Sequence, residues 1–168
     1  GARQAENVTQ HQPVKLAAME GIWEDTTCAP MTAVGWIDEA NQRTYGIKIP
    51  CLLSFLAYGD INATVKGLNS FPPDTWPPLQ ITFQSYHLMI NLGMVFIGIG
   101  LLAAFFFFWG RRLWRNTPVL WILVLTIFLA EAATMVGWWT AEFGRQPWIV
   151  WELLRTVDAG SPVLLGYQ

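Results

Sequence analysis

Two apolar runs, residues 83–109 and 118–141, carry almost nothing that water would solvate, and the short stretch between them holds Arg111, Arg112 and Arg115. A helix rises 1.5 Å per residue, so roughly 20 residues cross the hydrocarbon of a bilayer. In lipid, every backbone N–H and C=O must find its partner within the protein, which leaves the helix as the natural form for each run. The expectation is an all-α integral membrane protein. Two antiparallel transmembrane helices follow an extramembrane region with short helices.

Composition agrees with that class. Of 168 residues, 53% are hydrophobic and 13% charged, with a mean hydropathy of +0.33, which is too apolar for an ordinary soluble domain. Ten tryptophans and ten phenylalanines suit membrane interfaces and lipid-facing helices. A net charge of −2 offers no basic face, which argues against nucleic-acid partners. Short arginine-rich loops stay inside, so residues 110–117 are expected on the cytoplasmic side of the plasma (inner) membrane. Residues 1–82 and 142–168 then lie at the outer face.

Residues 1–82 hold seven of the prolines, among them Pro72, Pro73, Pro77 and Pro78, and no run long enough to span. Val14 to Glu24 reads as a short amphipathic helix, because Leu16, Met19 and Trp23 recur at spacings of three and four. The stretch from Phe71 to Pro78 reads as a rigid lead-in to the first long helix. Cys28 and Cys51 have no C-x-x-C or Cys/His spacing, so zinc and iron–sulfur sites have nothing to support them. They form a disulfide if this region is periplasmic, or stand as two unpaired structural thiols. The start, Gly1-Ala2-Arg3-Gln4, lacks an initiator methionine and an apolar signal, so the sequence reads as a piece of something longer.

Few side chains in the long runs can do more than pack. His87 and Met89 are two residues apart, about 200° around a helix, so they cannot ligate one metal from one face. His87 is either a hydrogen-bonded anchor or a ligand. Glu131 and Glu142, 11 residues apart, share a helix face at a depth where a carboxylate is costly unless paired, protonated or bound to metal. For Glu142 the plain alternative is an ion pair with Arg145, and for Glu131 a protonated carboxyl bonded to a neighbouring helix. The run Gly144-Arg145-Gln146-Pro147-Trp148 combines a fixed positive charge with a rigid Pro-Trp pair and suits an anionic group at the interface.

The segment Gly137-Trp138-Trp139-Thr140-Ala141-Glu142-Phe143-Gly144-Arg145-Gln146-Pro147-Trp148 resembles the GWxxAExGRQPW signature of cytochrome bd-type quinol oxidase subunit I. Lys15-Leu16-Ala17-Ala18-Met19-Glu20-Gly21-Ile22-Trp23 is similar to that family's quinol-loop motif, and Met89, in Tyr86-His87-Leu88-Met89, matches a haem-ligating methionine. The three blocks stand in the family's order. The resemblance implies a quinol:oxygen oxidoreductase, active only with the rest of the subunit and complex. Lys15 and Glu20 would serve quinol oxidation, Met89 would ligate a low-spin haem b, and Glu142 a high-spin haem. Trp138 and Arg145 would lie beside the haems, which in the family are haem b and a second, high-spin haem b with haem d. Subunit II, a small accessory subunit, lipid, quinol and dioxygen are the implied partners.

Two departures stand out: His87 replaces an arginine of some members, and the separation of Lys15 from Met89 suits members with a short loop. The earlier helices with histidine ligands are not in this sequence. Two other readings compete. One is a b-type electron-transfer cytochrome, which would keep Met89 but has no use for Glu142 with its GRQPW run. The other is a haem-free scaffold or transporter fragment with Glu131 and Glu142 on a proton path.

Overall fold

The computed structural model describes residues 7–9, 11–108 and 116–159. The short helix α1 (Pro13–Glu20) starts on a proline whose missing N–H is no loss in a first turn. It stops earlier than the periodicity suggests, because Gly21 turns left-handed (φ 64°) and donates its N–H to Ala17 O. A Cβ at Gly21 would come within 2.6 Å of Thr44 Oγ1, so this corner admits only glycine. Val14, Leu16, Ala17, Ala18, Met19 and Glu20 are all buried, and α1 is enclosed rather than amphipathic. One core, with Val14, Ala17, Trp23, Ile37, Leu68 and Phe83, lies on one side of it; a second, with Leu16, Ile22, Leu53 and Val65, lies on the other.

The described residues depart from the all-α expectation. Strands β2 (Met31–Asp38) and β3 (Arg43–Ile49) form an antiparallel hairpin, while β1 (Thr26–Thr27) pairs with β4 (Thr64–Val65). Thr32, Val34, Ile37, Thr44, Tyr45 and Ile47 are the β-branched and aromatic residues that favour strands. The signal is interrupted by Gly35 and Gly46, which stand opposite each other in register and leave no side chains at the middle of the ribbon. A Cβ on Gly35 would come 2.5 Å from Tyr45 O and 2.9 Å from Thr32 Cγ2, so the strands themselves leave no room for one, and the Phe83 ring packs alongside at 3.4 Å. Asp38 closes the turn by accepting from Asn41 N–H at 3.2 Å and from its side-chain amide at 2.8 Å. After β3, Cys51 is disulfide-bonded to Cys28 and opens the seven-residue helix α2 (Leu52–Tyr58).

The long helices are α3 (Leu79–Phe108) and α4 (Thr117–Phe143), both long and apolar enough to cross a membrane. They match the expected 83–109 and 118–141 with α3 beginning a turn earlier, right after Pro77-Pro78. Pro118 lies in the first turn of α4, and Asn116 Oδ1 accepts from Val119 N–H at 3.5 Å. Thr140 Oγ1 donates to Ser85 Oγ at 3.0 Å and Gly137 faces Met89, so residue numbers fall along α4 as they rise along α3. The arginine loop at 110–117 lies outside the described residues up to position 115, as do residues 160–168 of the last segment.

At about 45 Å, α3 exceeds the roughly 30 Å of a hydrocarbon core, so about a third of it projects beyond. Its N-terminal part carries a row of amides and an imidazole, and these fasten β2 along it. Gln80 Nε2 donates to Ile37 O, Gln84 Nε2 to Gly35 O at 3.2 Å, and Asn91 Nδ2 to Ala33 O at 3.2 Å. His87 Nε2 meets Thr32 O at 2.9 Å. A strand edge otherwise left unpaired is satisfied by side chains of a helix. Thr32 and Ala33, adjacent in sequence, both reach α3 because the hairpin register shifts there.

Candidate functional site

The residues singled out from sequence fall into three places around the ends of α3 and α4. Glu20, the last residue of α1, is only 1% exposed. Its Oε2 accepts from Thr32 N–H at 3.1 Å, while Oε1 has no hydrogen-bond partner among the described residues. Burial pushes the carboxyl up to about 7, against the opposing pull of the Thr32 N–H and the Tyr86 hydroxyl. Glu20 lines an open cleft of about 400 Å³ with Thr44, Tyr45, Lys48 and Asn69. A buried carboxyl poised near neutrality, with one oxygen uncommitted, can take up and release a proton.

Lys15, at the other end of α1, points away from Glu20. Its Nζ donates to Ala141 O at 3.2 Å, and its stem lies over Gly144, where a Cβ would come within 2.9 Å of Lys15 Cε. Burial holds the ammonium below the usual lysine range; Arg145 adds to this and Glu142 opposes it. Lys15 and Glu20 thus serve different elements: one meets the end of α4, the other the hairpin and α3.

Met89 is half-buried between the long helices, its Sδ against Gly137. His87 is the anchor and not the ligand of the two sequence alternatives. Nδ1 lies 2.8 Å from Phe83 O, Nε2 lies 2.9 Å from Thr32 O, and the ring stacks on Phe83 with centroids 4.1 Å apart. Both ring nitrogens face main-chain carbonyls of this chain.

Val136 and Thr140 turn toward α3, whereas Glu131, Trp138 (66% exposed) and Glu142 lie on the uncovered face of α4. Among the described residues no ion pair joins Glu142 to Arg145; the pair found in this region is Arg155 Nη2 to Asp74 Oδ2 at 2.7 Å. Arg155 also lies 5.0 Å from the Trp148 ring centroid, and Thr156 Oγ1 donates to Gln146 Oε1 at 2.9 Å. Through these contacts the strands β5 (Trp148–Val150) and β6 (Leu154–Arg155) fold back over the GRQPW run. The helix ends at Phe143, ahead of Pro147.

Nothing local in the sequence marks Thr32, which acquires meaning only once β2 and α3 meet; Tyr86 stands in the block around Met89, but its place beside Glu20 needs the fold. Gly137 was visible as a helix-interior glycine inside the motif. The Met89 thioether, packed against Gly137, and the exposed Glu142 carboxylate, without an ion-pair partner among the described residues, are groups of a kind that can ligate iron.

A family profile described as cytochrome bd terminal oxidase subunit I matches residues 1–167. Cytochrome bd ubiquinol oxidase subunit 1 of Bacillus subtilis is 36% identical over 176 residues, covering 96% of this chain and 37% of that protein. Cytochrome bd-II ubiquinol oxidase subunit 1 of Escherichia coli is 27% identical over 232 residues, covering 99% of this chain and 45% of the relative. That alignment is longer than the chain itself, so the relative carries residues with no counterpart here. The solved bd oxidase of Geobacillus thermodenitrificans superposes with a TM-score of 0.78 at 31% identity, covering 96% of this chain and 37% of that one. The chain belongs to the cytochrome bd terminal oxidase subunit I family, and it spans well under half the length of these relatives.

Proposed function

We propose that this chain is the quinol-loop and haem-ligating part of a terminal respiratory oxidase that oxidises quinol and reduces dioxygen to water, contributing to a proton gradient. The observation that carries the reading is Glu20: a carboxyl with a value of about 7 beside an open cleft. As carboxylate, Glu20 takes a proton from a quinol hydroxyl; loss of two protons and two electrons converts quinol to quinone. Lys15 supplies positive charge on the α4 side, close to the backbone before Glu142.

Met89 would hold a low-spin haem b from the α3 side, with a second ligand from a helix outside this chain. Glu142 would hold a high-spin haem, of b or d type, with Arg145 balancing a propionate and Trp138 packed alongside. When bound, these groups supply electron transfer and the oxygen-reducing iron. Residues 1–82 stand at the outer face of a bacterial or archaeal plasma membrane, with 110–117 inside, so protons from quinol leave on the outer side. Subunit II and a small accessory subunit complete the complex.

Replacing Lys15 by Ala or Glu20 by Gln in the complete oxidase is expected to lower quinol turnover and leave the reduced-minus-oxidised haem spectrum intact. Full turnover with natural quinol in both variants removes the assignment.

A further inference from the structure

Among the described glycines of the long helices, Gly137 differs from the rest. Side chains added at Gly93, Gly98 or Gly100 would meet nothing within 4 Å. A Cβ at Gly137 would lie 3.2 Å from Met89 Sδ and 3.9 Å from Met89 Cγ, with no other atom that close. A methyl there would press on one thioether, which would have to give by a few tenths of an ångström. Glycine disfavours a helix interior relative to alanine, so its presence here calls for a local reason.

Separation of the helices cannot readily absorb an added methyl. One turn away, Thr140 Oγ1 donates to Ser85 Oγ at 3.0 Å, and both residues are buried. This bond holds the two backbones at their spacing. Methionine has three rotatable side-chain bonds and fills whatever shape it is given, so the group that yields is the sulfur. We infer that Gly137 is a positioning residue for the haem ligand: it seats the Met89 thioether against α4 and thereby sets where the sulfur lone pair points.

The inference rests on Met89 being an axial ligand, as proposed above, and adds a residue that touches neither haem nor quinol. It also ties the two proposed haem sites to one element, since Gly137 precedes Glu142 by five residues on α4.

The test uses the purified complete oxidase carrying Gly137→Ala, with Gly98→Ala as the control in open space and Met89→Leu as the ligand control. Two quantities are read: the sulfur-to-iron charge-transfer absorption of the ferric low-spin haem, and that haem's midpoint potential. Gly137→Ala is expected to displace or abolish the absorption and lower the potential, because a thioether ligand stabilises the ferrous state and a weakened bond does so less. Gly98→Ala should change neither. A role limited to helix packing would predict the opposite, since alanine improves a helix without touching iron. If Met89→Leu removes the absorption while Gly137→Ala leaves both quantities unchanged, the seat is wrong and the ligand stands. If Met89→Leu leaves the absorption unaltered, the ligand reading fails and the seat with it. Should Gly137→Ala not assemble, the same readings are taken on Gly137→Ala with Ser85→Ala, which frees the helices to part, against Ser85→Ala alone; an absorption or potential displaced from that of Ser85→Ala supports the seat, and full identity of the two refutes it.

Discussion

At the hairpin end of the helix pair, α3 and α4 carry similar numbers of polar side chains and treat them in opposite ways. On α3, Gln80, Gln84, His87 and Asn91 all spend their polar atoms on carbonyls of β2. On α4, Glu131, Trp138 and Glu142 face away from everything described here. The difference separates two kinds of polar residue that look alike in a hydrophobic run. Those of α3 replace a missing neighbour strand, and their chemistry is complete within the chain. The α4 groups remain uncompensated by this chain, and a carboxylate near a bilayer is costly until something outside compensates it.

Removing the compensated and uncompensated groups should therefore have unlike effects. The largest is expected for Glu142→Ala in the complete oxidase: dioxygen reduction is lost along with one high-spin haem signal, while the haem assigned to Met89 is still reduced by quinol. Retention of every haem signal and of oxygen uptake would reduce Glu142 to a solvated helix end.

A smaller effect separates Glu20 from both groups, because it is buried yet half-satisfied. Its proton-accepting form is the carboxylate, so quinol turnover should rise with pH through about 7 and flatten above it. Glu20→Gln should remove that rise and lower turnover by on the order of 10²–10⁴. Stability runs the other way. The folded carboxyl lies at about 7 against an ordinary 4.5, so the loop's stability is complete below the ordinary value and declines as pH rises through about 7. Hydrogen exchange across 13–38 at pH 5 and pH 8 reads the decline in the natural protein and its absence in Glu20→Gln. Equal protection at both pH values in the natural protein would show that the carboxyl is not held up by burial.

The smallest effects belong to the α3 row. Gln84→Leu or Asn91→Leu strips one carbonyl of its donor and should weaken the hairpin by about 1–2 kcal/mol. Limited proteolysis within 31–49 should quicken while the haem spectrum stays unchanged. A spectral change of the size produced at Glu142 would erase the distinction between the two helices.

Both long helices were legible from sequence, because length and apolarity are local properties that no tertiary contact needed to override. The hairpin was not. Gly35 and Gly46 break the alternation in the middle of the ribbon, and the reason for them is the close approach of the two paired strands: a Cβ on Gly35 would lie 2.5 Å from Tyr45 O and one on Gly46 2.3 Å from Val34 O. Cys28 and Cys51 gave no spacing signal, and their pairing follows from β2 and β3 returning the chain to its starting point. At the site, Lys15, Glu20, Met89 and Glu142 could be picked out by motif. That Lys15 and Glu20 part company at opposite ends of α1 required knowing that the helix is buried all round. His87 was left open between two roles until Thr32 arrived beside it.

The row of contacts between β2 and α3 also sets a limit on length. Two residues of strand advance about 6.6–6.8 Å, whereas four residues of helix advance about 6.0 Å. Gln80 with Ile37 and Gln84 with Gly35 keep step over one such repeat, and the mismatch then accumulates like that between two rulers of unequal graduation. The register shift at Ala33 falls where the next regular contact would begin to drift. A ribbon of this kind can be mounted on a helix for a few contacts only. Extra residues in this loop would therefore fit at the free turn or before β2, outside the fastened stretch.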